Sequence, residues 1–345
     1  MRVAVAGTSF GSLVQIPVFQ SHPRTQVVAV SSGRRERADK TARDFGVAAH
    51  YTDFEEMLEK EKPDLVSIVT PPGLHCPMTL AAVGRGIHVL CEKPFALNVD
   101  EARRMKDAAE RANVVAMIDY EFRFLPARAY ATELLRHNYT GEIRLVEFTF
   151  HMGMRSKAED VGWDWWSDQT EGGGALGALG SHAIDTLCYW MGQPRRVFCD
   201  LVTFVKERSG QRVTSDDSYT LIIEFQSGAR AAIQMTIVAG VNDSRIAIFG
   251  TDGQLIITNG SGLHGGKRAD RKIGPIEIPE HYRLPREDQH LRPPFRVLLN
   301  RMVQSIDNRL PSPSPNFTDA VLSQAVIDAA HQASREGRWI EVATG

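Results

Sequence analysis

The strongest constraint on this chain is an alternation that runs through its first 120 residues. Five short apolar runs, RVAVAG (2–7), QVVAVSS (26–32), DLVSIVT (64–70), IHVLCE (87–92) and VVAMID (114–119), are separated by stretches with helical patterning. Continuous Val/Ile/Leu runs suit strands covered on both faces, and strands that alternate with helices predict a parallel, doubly wound sheet. Two helix starts are expected, at Thr52 three residues before Glu55 and at Asn98 three before Glu101, where the pair can satisfy free amides of a first turn.

After residue 120 the rhythm changes. Longer runs follow, RLVEFTFHM (144–152), RVFCDLVTFV (196–205), SYTLIIEF (218–225), RAAIQMTIV (230–238) and RIAIFG (245–250), joined by the turn signals QSG and TDG. The expected architecture is α/β, with a Rossmann doubly wound parallel sheet over 1–120 and an α+β domain with an open-faced, mostly antiparallel sheet over 121–345. Alternating polarity in the later strands leaves one sheet face for solvent or for a homodimer or homotetramer contact. PSPSP (311–315) reads as a break between two C-terminal helices, and the glycine-rich, basic stretch 259–275 reads as a mobile, solvated loop.

Bulk properties exclude several functions. A formal charge of -2, from 40 basic and 42 acidic residues mixed along the chain, offers no field of one sign to nucleic acid or to an anionic membrane. No apolar stretch approaches the roughly 20 residues that a membrane span needs, and a strand at the very start leaves no room for a signal segment, so a cytoplasmic protein is expected. Cys76, Cys91, Cys188 and Cys199 form no C-x-x-C pair, which fits buried reduced thiols and no metal site.

Strand 1 runs into Gly7-Thr8-Ser9-Phe10-Gly11-Ser12. A dinucleotide turn wants glycine at its first, third and sixth positions, and only Gly7 fits, because Ser9 and Ser12 occupy the other two. The turn lies between a strand and a helix, where amides can face a phosphate, so it reads either as a pyrophosphate cradle or as a plain structural turn. Strand 2 ends Ser31-Ser32-Gly33-Arg34-Arg35. An acid there would bind the ribose hydroxyl of NAD, whereas Ser32, Arg34 and Arg35 suit a 2'-phosphate and favour NADP; solvated arginines opening a helix are the alternative.

The stretch Thr70-Pro71-Pro72-Gly73-Leu74-His75, followed by Cys91-Glu92-Lys93-Pro94, resembles the Gfo/Idh/MocA oxidoreductase family. Phe122-Arg123-Phe124-Leu125-Pro126, GGGALGALGSHAID (172–185) and GRWIEV (337–342) extend that resemblance in order along the chain. It implies NAD or NADP between two domains and oxidation of a secondary alcohol of a sugar or polyol, or reduction of the matching ketone. Carried over, Thr70, Pro71 and His75 line the cofactor cleft with Gly7, Thr8, Ser9 and Phe10, and Glu92 and Lys93 sit beside the nicotinamide. A cis bond before Pro94 is a further expectation.

A lysine at a strand end, partly desolvated and near a positive nicotinamide ring, is disfavoured in its charged form and suits a base. His182 is its expected catalytic companion. Ala178, His182 and Asp185 are spaced to share one helix face, and in many relatives the first of these positions is an aspartate. With alanine there, three readings stay open: Lys93 and His182 work without the acid, Asp185 or Glu121 supplies it, or the fold binds cofactor without catalysis. Glu121 and Arg123, at the carboxyl edge of the fifth run, are candidate substrate contacts, as are Lys93, His182, Asp185 and Trp165. The tryptophans of Trp163-Asp164-Trp165-Trp166 can stack on a sugar face or plug a loop. Besides a dehydrogenase, a noncatalytic dinucleotide sensor or scaffold and a redox-assisted lyase or glycosidase that retains its cofactor are open.

Overall fold

The computed structural model describes residues 1–343. The chain forms two compact units, Met1–Glu121 with Pro285–Val321, and Phe122–Leu284 with the residues from Leu322 onward.

The first unit holds a six-stranded sheet, β1 (Arg2–Ala6), β2 (Gln26–Ser31), β3 (Ala49–Tyr51), β4 (Leu65–Ile68), β5 (His88–Cys91) and β6 (Ala116–Ile118), in the order 3-2-1-4-5-6. All its pairs are parallel. Nearly every residue of β1, β4 and β5 is buried, which explains why their sequences are apolar without alternation. The strand order reverses between β1 and β4, and the chain leaves these strands at Gly7 and Val69. Ligands of such sheets bind outside the carboxyl ends at this reversal.

Local signals account for most element ends. The helix α1 (Ile16–Ser21) is preceded by a π-helical turn, Gly11–Gln15, in which the Ile16 amide donates to the Gly11 carbonyl. Helices α2 (Arg35–Phe45), α3 (Phe54–Glu61), α4 (His75–Val83) and α5 (Val99–Arg111) follow the next strands. At α5 the Asn98 side chain accepts from the Glu101 amide at 2.9 Å while the Glu101 carboxylate accepts from the Leu97 amide at 3.1 Å, as that spacing predicts. The other expected cap moves by one residue. Asp53, not Thr52, caps α3 and accepts from the Glu56 amide at 2.9 Å, since a carboxylate outcompetes the neighbouring hydroxyl.

The second unit begins with α6 (Pro126–Arg136) and β7 (Ile143–His151) and continues through α7 (Ser181–Met191) and β8 (Pro194–Val202). A small hairpin, β9 (Glu207–Arg208) and β10 (Gln211–Arg212), stands apart. Then come β11 (Ser218–Phe225), β12 (Arg230–Thr236), β13 (Asp243–Gly250), β14 (Gly253–Thr258), β15 (Gly262–Lys267) and β16 (Gly274–Pro275). With β17 (Ile340–Glu341) they make a nine-stranded sheet ordered 16-15-14-13-7-12-11-8-17. Only β12 with β7 is parallel. Burial along β12 alternates, Ala231, Ile233 and Met235 inward and Arg230 and Gln234 exposed, so one face is packed and the other polar.

The glycine-rich stretch 259–275 departs from the expected mobile loop, because it supplies β15 and β16. Its glycines allow close strand contact: a Cβ on Gly266 would lie 2.2 Å from the Lys272 carbonyl oxygen, and one on Gly265 2.5 Å from Ile276. Two C-terminal helices, α8 (Arg292–Asn308) and α9 (Phe317–Glu336), flank PSPSP as expected. Within the first unit, Phe295 of α8 meets Phe19 edge-on at 5.8 Å, and Phe317 lies 4.6 Å from the ring of Phe95. The four cysteines are buried free thiols.

Candidate functional site

The carboxyl edge of the first sheet gathers several of the residues singled out by sequence. Gly7 has φ +111°, and a Cβ there would lie 2.1 Å from the Val69 carbonyl oxygen. Only glycine fits this turn, which packs the exit of β1 against the exit of β4. Gly11 brings the following helix close to β1, with Val5 3.3 Å from its Cβ position, a packing role the sequence pattern assigned to another position. Thr8 and Phe10 are half-buried and Ser9 is exposed. At the end of β2, Ser32 is half-buried and Arg34 and Arg35 are exposed, the Arg34 amide donating to Ser32 Oγ at 3.4 Å.

The two loops after β4 and β5 are tied together by His75. Its ring is fully buried, with Nε2 2.8 Å from the Thr70 carbonyl oxygen and Nδ1 3.0 Å from that of Pro94. Burial lowers its pKa against the pull of these carbonyls, and the ring, lodged between the Thr70-Pro71 and Lys93-Pro94 segments, packs them from behind. Thr70 is half-buried, with its hydroxyl 3.7 Å from the Met78 sulfur, and Pro71 is exposed. The Lys93–Pro94 bond is cis, in agreement with the expectation. Lys93 remains half-exposed directly after Glu92, which is 7% exposed.

Beneath Glu92 lies a polar network that sequence reading missed. Gln15, with no exposed surface, donates from Nε2 to Glu92 Oε1 at 2.8 Å and to Asp119 Oδ2 at 3.0 Å. The Ser67 hydroxyl donates to Gln15 Oε1 and so fixes which end of the amide faces the carboxyls. Glu121 follows Asp119 and is 2% exposed. Burial raises all three carboxyls. For Asp119 the neighbouring Glu121 and Glu92 add to it; for Glu92 the positive Lys93 opposes it. Glu121 is pushed up to about 8 by burial and by Glu92, with Lys93 pulling the other way. The signal for this network is a lone polar residue in each of two apolar patterns, Gln15 beside Val14 and Ile16, and Ser67 within LVSI.

The second unit holds the remaining candidates. The expected single helix over GGGALGALGSHAID is a π-helical turn, Leu176–Gly180, that runs into α7, so Ala178 is displaced from the α-helical line through His182 and Asp185. Gly177 and Gly180 are poor α-helix formers and permit the wider turn. A Cβ on Gly180 would lie 2.5 Å from Tyr219 Oη, which shows how closely the turn approaches β11. Asp216, also missed by sequence, caps this turn by accepting from the Leu176 amide at 2.9 Å, and burial pushes it up to about 7.

His182 is 3% exposed and stacks on Phe122, with ring centres 4.0 Å apart and planes at 9°. Arg128 lies 5.2 Å from the far-reaching Phe122 ring centre. Asp185 receives Arg123 through both carboxylate oxygens, Nε donating at 2.7 Å and Nη2 closing the pair, with both side chains buried. The Arg123 guanidinium also covers the Tyr189 ring at 4.1 Å. This bidentate pair occupies the carboxylate that could have replaced the acid missing at Ala178. Trp165 is half-buried, 5.6 Å from Trp166, and Asp164 is held by both guanidinium nitrogens of Arg155 at 2.8 and 3.0 Å.

A doubly wound sheet in the 3-2-1-4-5-6 order, with a glycine turn after β1 and a glutamate-lysine pair after β5, defines a dinucleotide-binding scaffold of the oxidoreductase kind. Residues 1–120 match the model of the Gfo/Idh/MocA oxidoreductase family with its NAD-binding Rossmann fold, and residues 129–256 match the C-terminal domain of the same family. An uncharacterized oxidoreductase of Synechocystis is 32% identical over 359 residues, covering 99% of this chain and 96% of that protein. Glucose-fructose oxidoreductase domain-containing protein 1 of Xenopus tropicalis is 26% identical and covers 98% of this chain and 91% of its own length. Among solved structures, an oxidoreductase domain protein from Kribbella flavida superimposes with a TM-score of 0.91 at 26% identity, covering 99% of this chain and 98% of that one. Levoglucosan dehydrogenase in complex with NADH and levoglucosan shares the fold, with a TM-score of 0.90 at 23% identity and full coverage of both chains. The chain belongs to the Gfo/Idh/MocA family of oxidoreductases.

Proposed function

We propose that this protein moves a hydride between a nicotinamide cofactor and a secondary alcohol or ketone of a sugar, polyol or similar compound. The observation that carries the reading is the position of Lys93, half-exposed at the carboxyl edge of β5, next to the strand at which the sheet order reverses. Levoglucosan dehydrogenase with its bound sugar and an aldose-aldose oxidoreductase from Caulobacter crescentus complexed with glycerol share the fold, which supports a carbohydrate-like substrate.

The cofactor fits the first unit on physical grounds. Gly7 leaves a cradle that a Cβ would fill, and Thr8, Ser9 and Phe10 lead into the start of a helix whose first amides can face a phosphate. Exposed Arg34 and Arg35 with Ser32 at the end of β2 suit a 2'-phosphate and favour NADP over NAD. When bound, the nicotinamide supplies the acceptor or donor of the hydride. Lys93 takes the hydroxyl proton during oxidation and returns it during reduction. His182, held flat by Phe122, orients the substrate oxygen, and Glu121, Arg123, Asp185 and Trp165 shape the substrate side, Arg123 and Asp185 as a braced pair. This assignment takes the reading in which Lys93 and His182 work without an acid at position 178. The polar face of the nine-stranded sheet is the proposed contact of a homodimer or homotetramer.

The test is to measure cofactor in the purified protein and then follow nicotinamide absorbance with a panel of sugars and polyols. Reduction of the cofactor by one of them is the expected result. Product without net change in nicotinamide would place the protein among redox-assisted lyases or glycosidases, and tight cofactor binding with no reaction would make it a sensor.

A further inference from the structure

Three acids in a row under a catalytic lysine present a physical problem. Glu92, Asp119 and Glu121 are each nine-tenths or more buried in the first unit, and one amide nitrogen, Gln15 Nε2, donates to Glu92 at 2.8 Å and to Asp119 at 3.0 Å, which holds those two carboxyls side by side. Two carboxyls held so close out of water favour keeping a proton between them. Three ionised carboxylates so close would repel one another and would also pull hard on a nearby ammonium. The amide of Gln15 is committed to both Glu92 and Asp119, and Ser67 holds it in that orientation, so the spacing is built in by the fold rather than chosen by rotamer. Beside the cluster, burial pushes the Cys91 thiol well up and lowers the His75 imidazole. Lys93 is a cation that acts on both Glu92 and Glu121.

We propose that Gln15, Asp119 and Glu121 are positioning residues for the Glu92–Lys93 pair, a buried network that keeps at least one proton among its three carboxyls and thereby limits the negative charge standing behind Lys93. Gln15 supplies one N–H to each of two acids, which tolerates either acid being the protonated one. The shared proton moves along the row without leaving it, so no atom is gained or lost when Lys93 exchanges its own proton with the substrate oxygen. The inference rests on the proposed role of Lys93 for its catalytic meaning, while the stored proton stands independently of that role.

Infrared difference spectroscopy on the full chain, free of cofactor and substrate, tests the stored proton directly. Subtracting the spectrum of Asp119→Asn, and separately of Glu121→Gln, from that of the wild type at pH 7 should leave the carbonyl band of a protonated carboxylic acid in at least one difference. Its absence from both, with circular dichroism confirming folded variants, would overturn the proposal. The positioning role is read from the pH profile of turnover. Wild-type kcat should show an inflection near pH 8, since burial and Glu92 push Glu121 up to about 8, and Glu121→Gln should abolish it. An inflection that persists unchanged in Glu121→Gln would overturn the link to Lys93. If the infrared band is present but no alcohol is oxidised, the catalytic reading fails and the proton store survives.

Discussion

Both units bury carboxylates, and they solve the resulting problem in opposite ways. In the second, Asp185 is matched by the Arg123 guanidinium, a charge pair with both carboxylate oxygens used. In the first, the neutral Gln15 amide serves both Glu92 and Asp119, burial raises these two and Glu121, and the proposed answer is to hold protons. A matched pair is held by two directed, charge-assisted hydrogen bonds. A proton-holding row responds to pH, which suits a site where a proton must come and go. The comparison also separates the two π turns. Gly11–Gln15 delivers Gln15 into the responsive row, whereas Leu176–Gly180 leads into the helix of the matched pair.

The largest expected effect tests the matched pair. Arg123→Ala leaves Asp185 buried without its guanidinium and should cost about 3–5 kcal/mol in urea unfolding. A cost below about 1 kcal/mol would show that the pair is not as desolvated as its burial indicates. Next comes the pH response of the first unit. A carboxyl whose folded pKa is raised makes the folded state bind more protons than the unfolded one, so stability falls as pH rises. For Glu121 that loss runs from the ordinary value of 4.5 to about 8 and then levels. Glu121→Gln should flatten the stability curve over this window and be more stable than wild type at pH 8; parallel curves for the two proteins would contradict it.

Gln15→Leu should have a smaller effect, about 1–3 kcal/mol at pH 7 for acids left without their amide donors. The same change should cost less at pH 5, where more of the row is protonated, and an equal cost at both values would mean a purely steric role. The smallest effect on the fold comes from the exposed edge of the same sheet. Arg34→Ala should leave urea unfolding within about 0.5 kcal/mol of wild type. It should nevertheless weaken NADP by roughly tenfold while changing NAD little, as measured by fluorescence titration. Equal losses for both cofactors would remove the 2'-phosphate role.

Much of this organisation is legible in the sequence, for identifiable reasons. Buried parallel strands write themselves as continuous apolar runs, so β1, β2, β4, β5 and β6 are found within a few residues, and the glutamate-lysine-proline motif marks the strand end that carries Lys93. The mixed sheet is legible in part: β7, β8, β11, β12 and β13 stand out as runs, β14 and the short β9–β10 hairpin do not, and β15 and β16 are hidden in a stretch whose composition reads as loop. The long-range partners are not legible. Nothing local connects Gln15 to Asp119, or Asp216 to Leu176, because those contacts depend on sheet order and close approach rather than on periodicity. The π turn at Leu176–Gly180 is hidden for a similar reason, since a spacing of four residues is the same on paper for an α and a wider helix.

The central claim is that Lys93 carries the proton of a nicotinamide-linked alcohol oxidation. Its most direct test is the turnover of Lys93→Ala on a carbohydrate alcohol that the wild type oxidises, together with cofactor binding by the same variant. The account predicts that kcat falls by roughly 10²–10⁴ while the cofactor Kd stays within a few-fold. A variant that binds cofactor and turns over at the wild-type rate would contradict it.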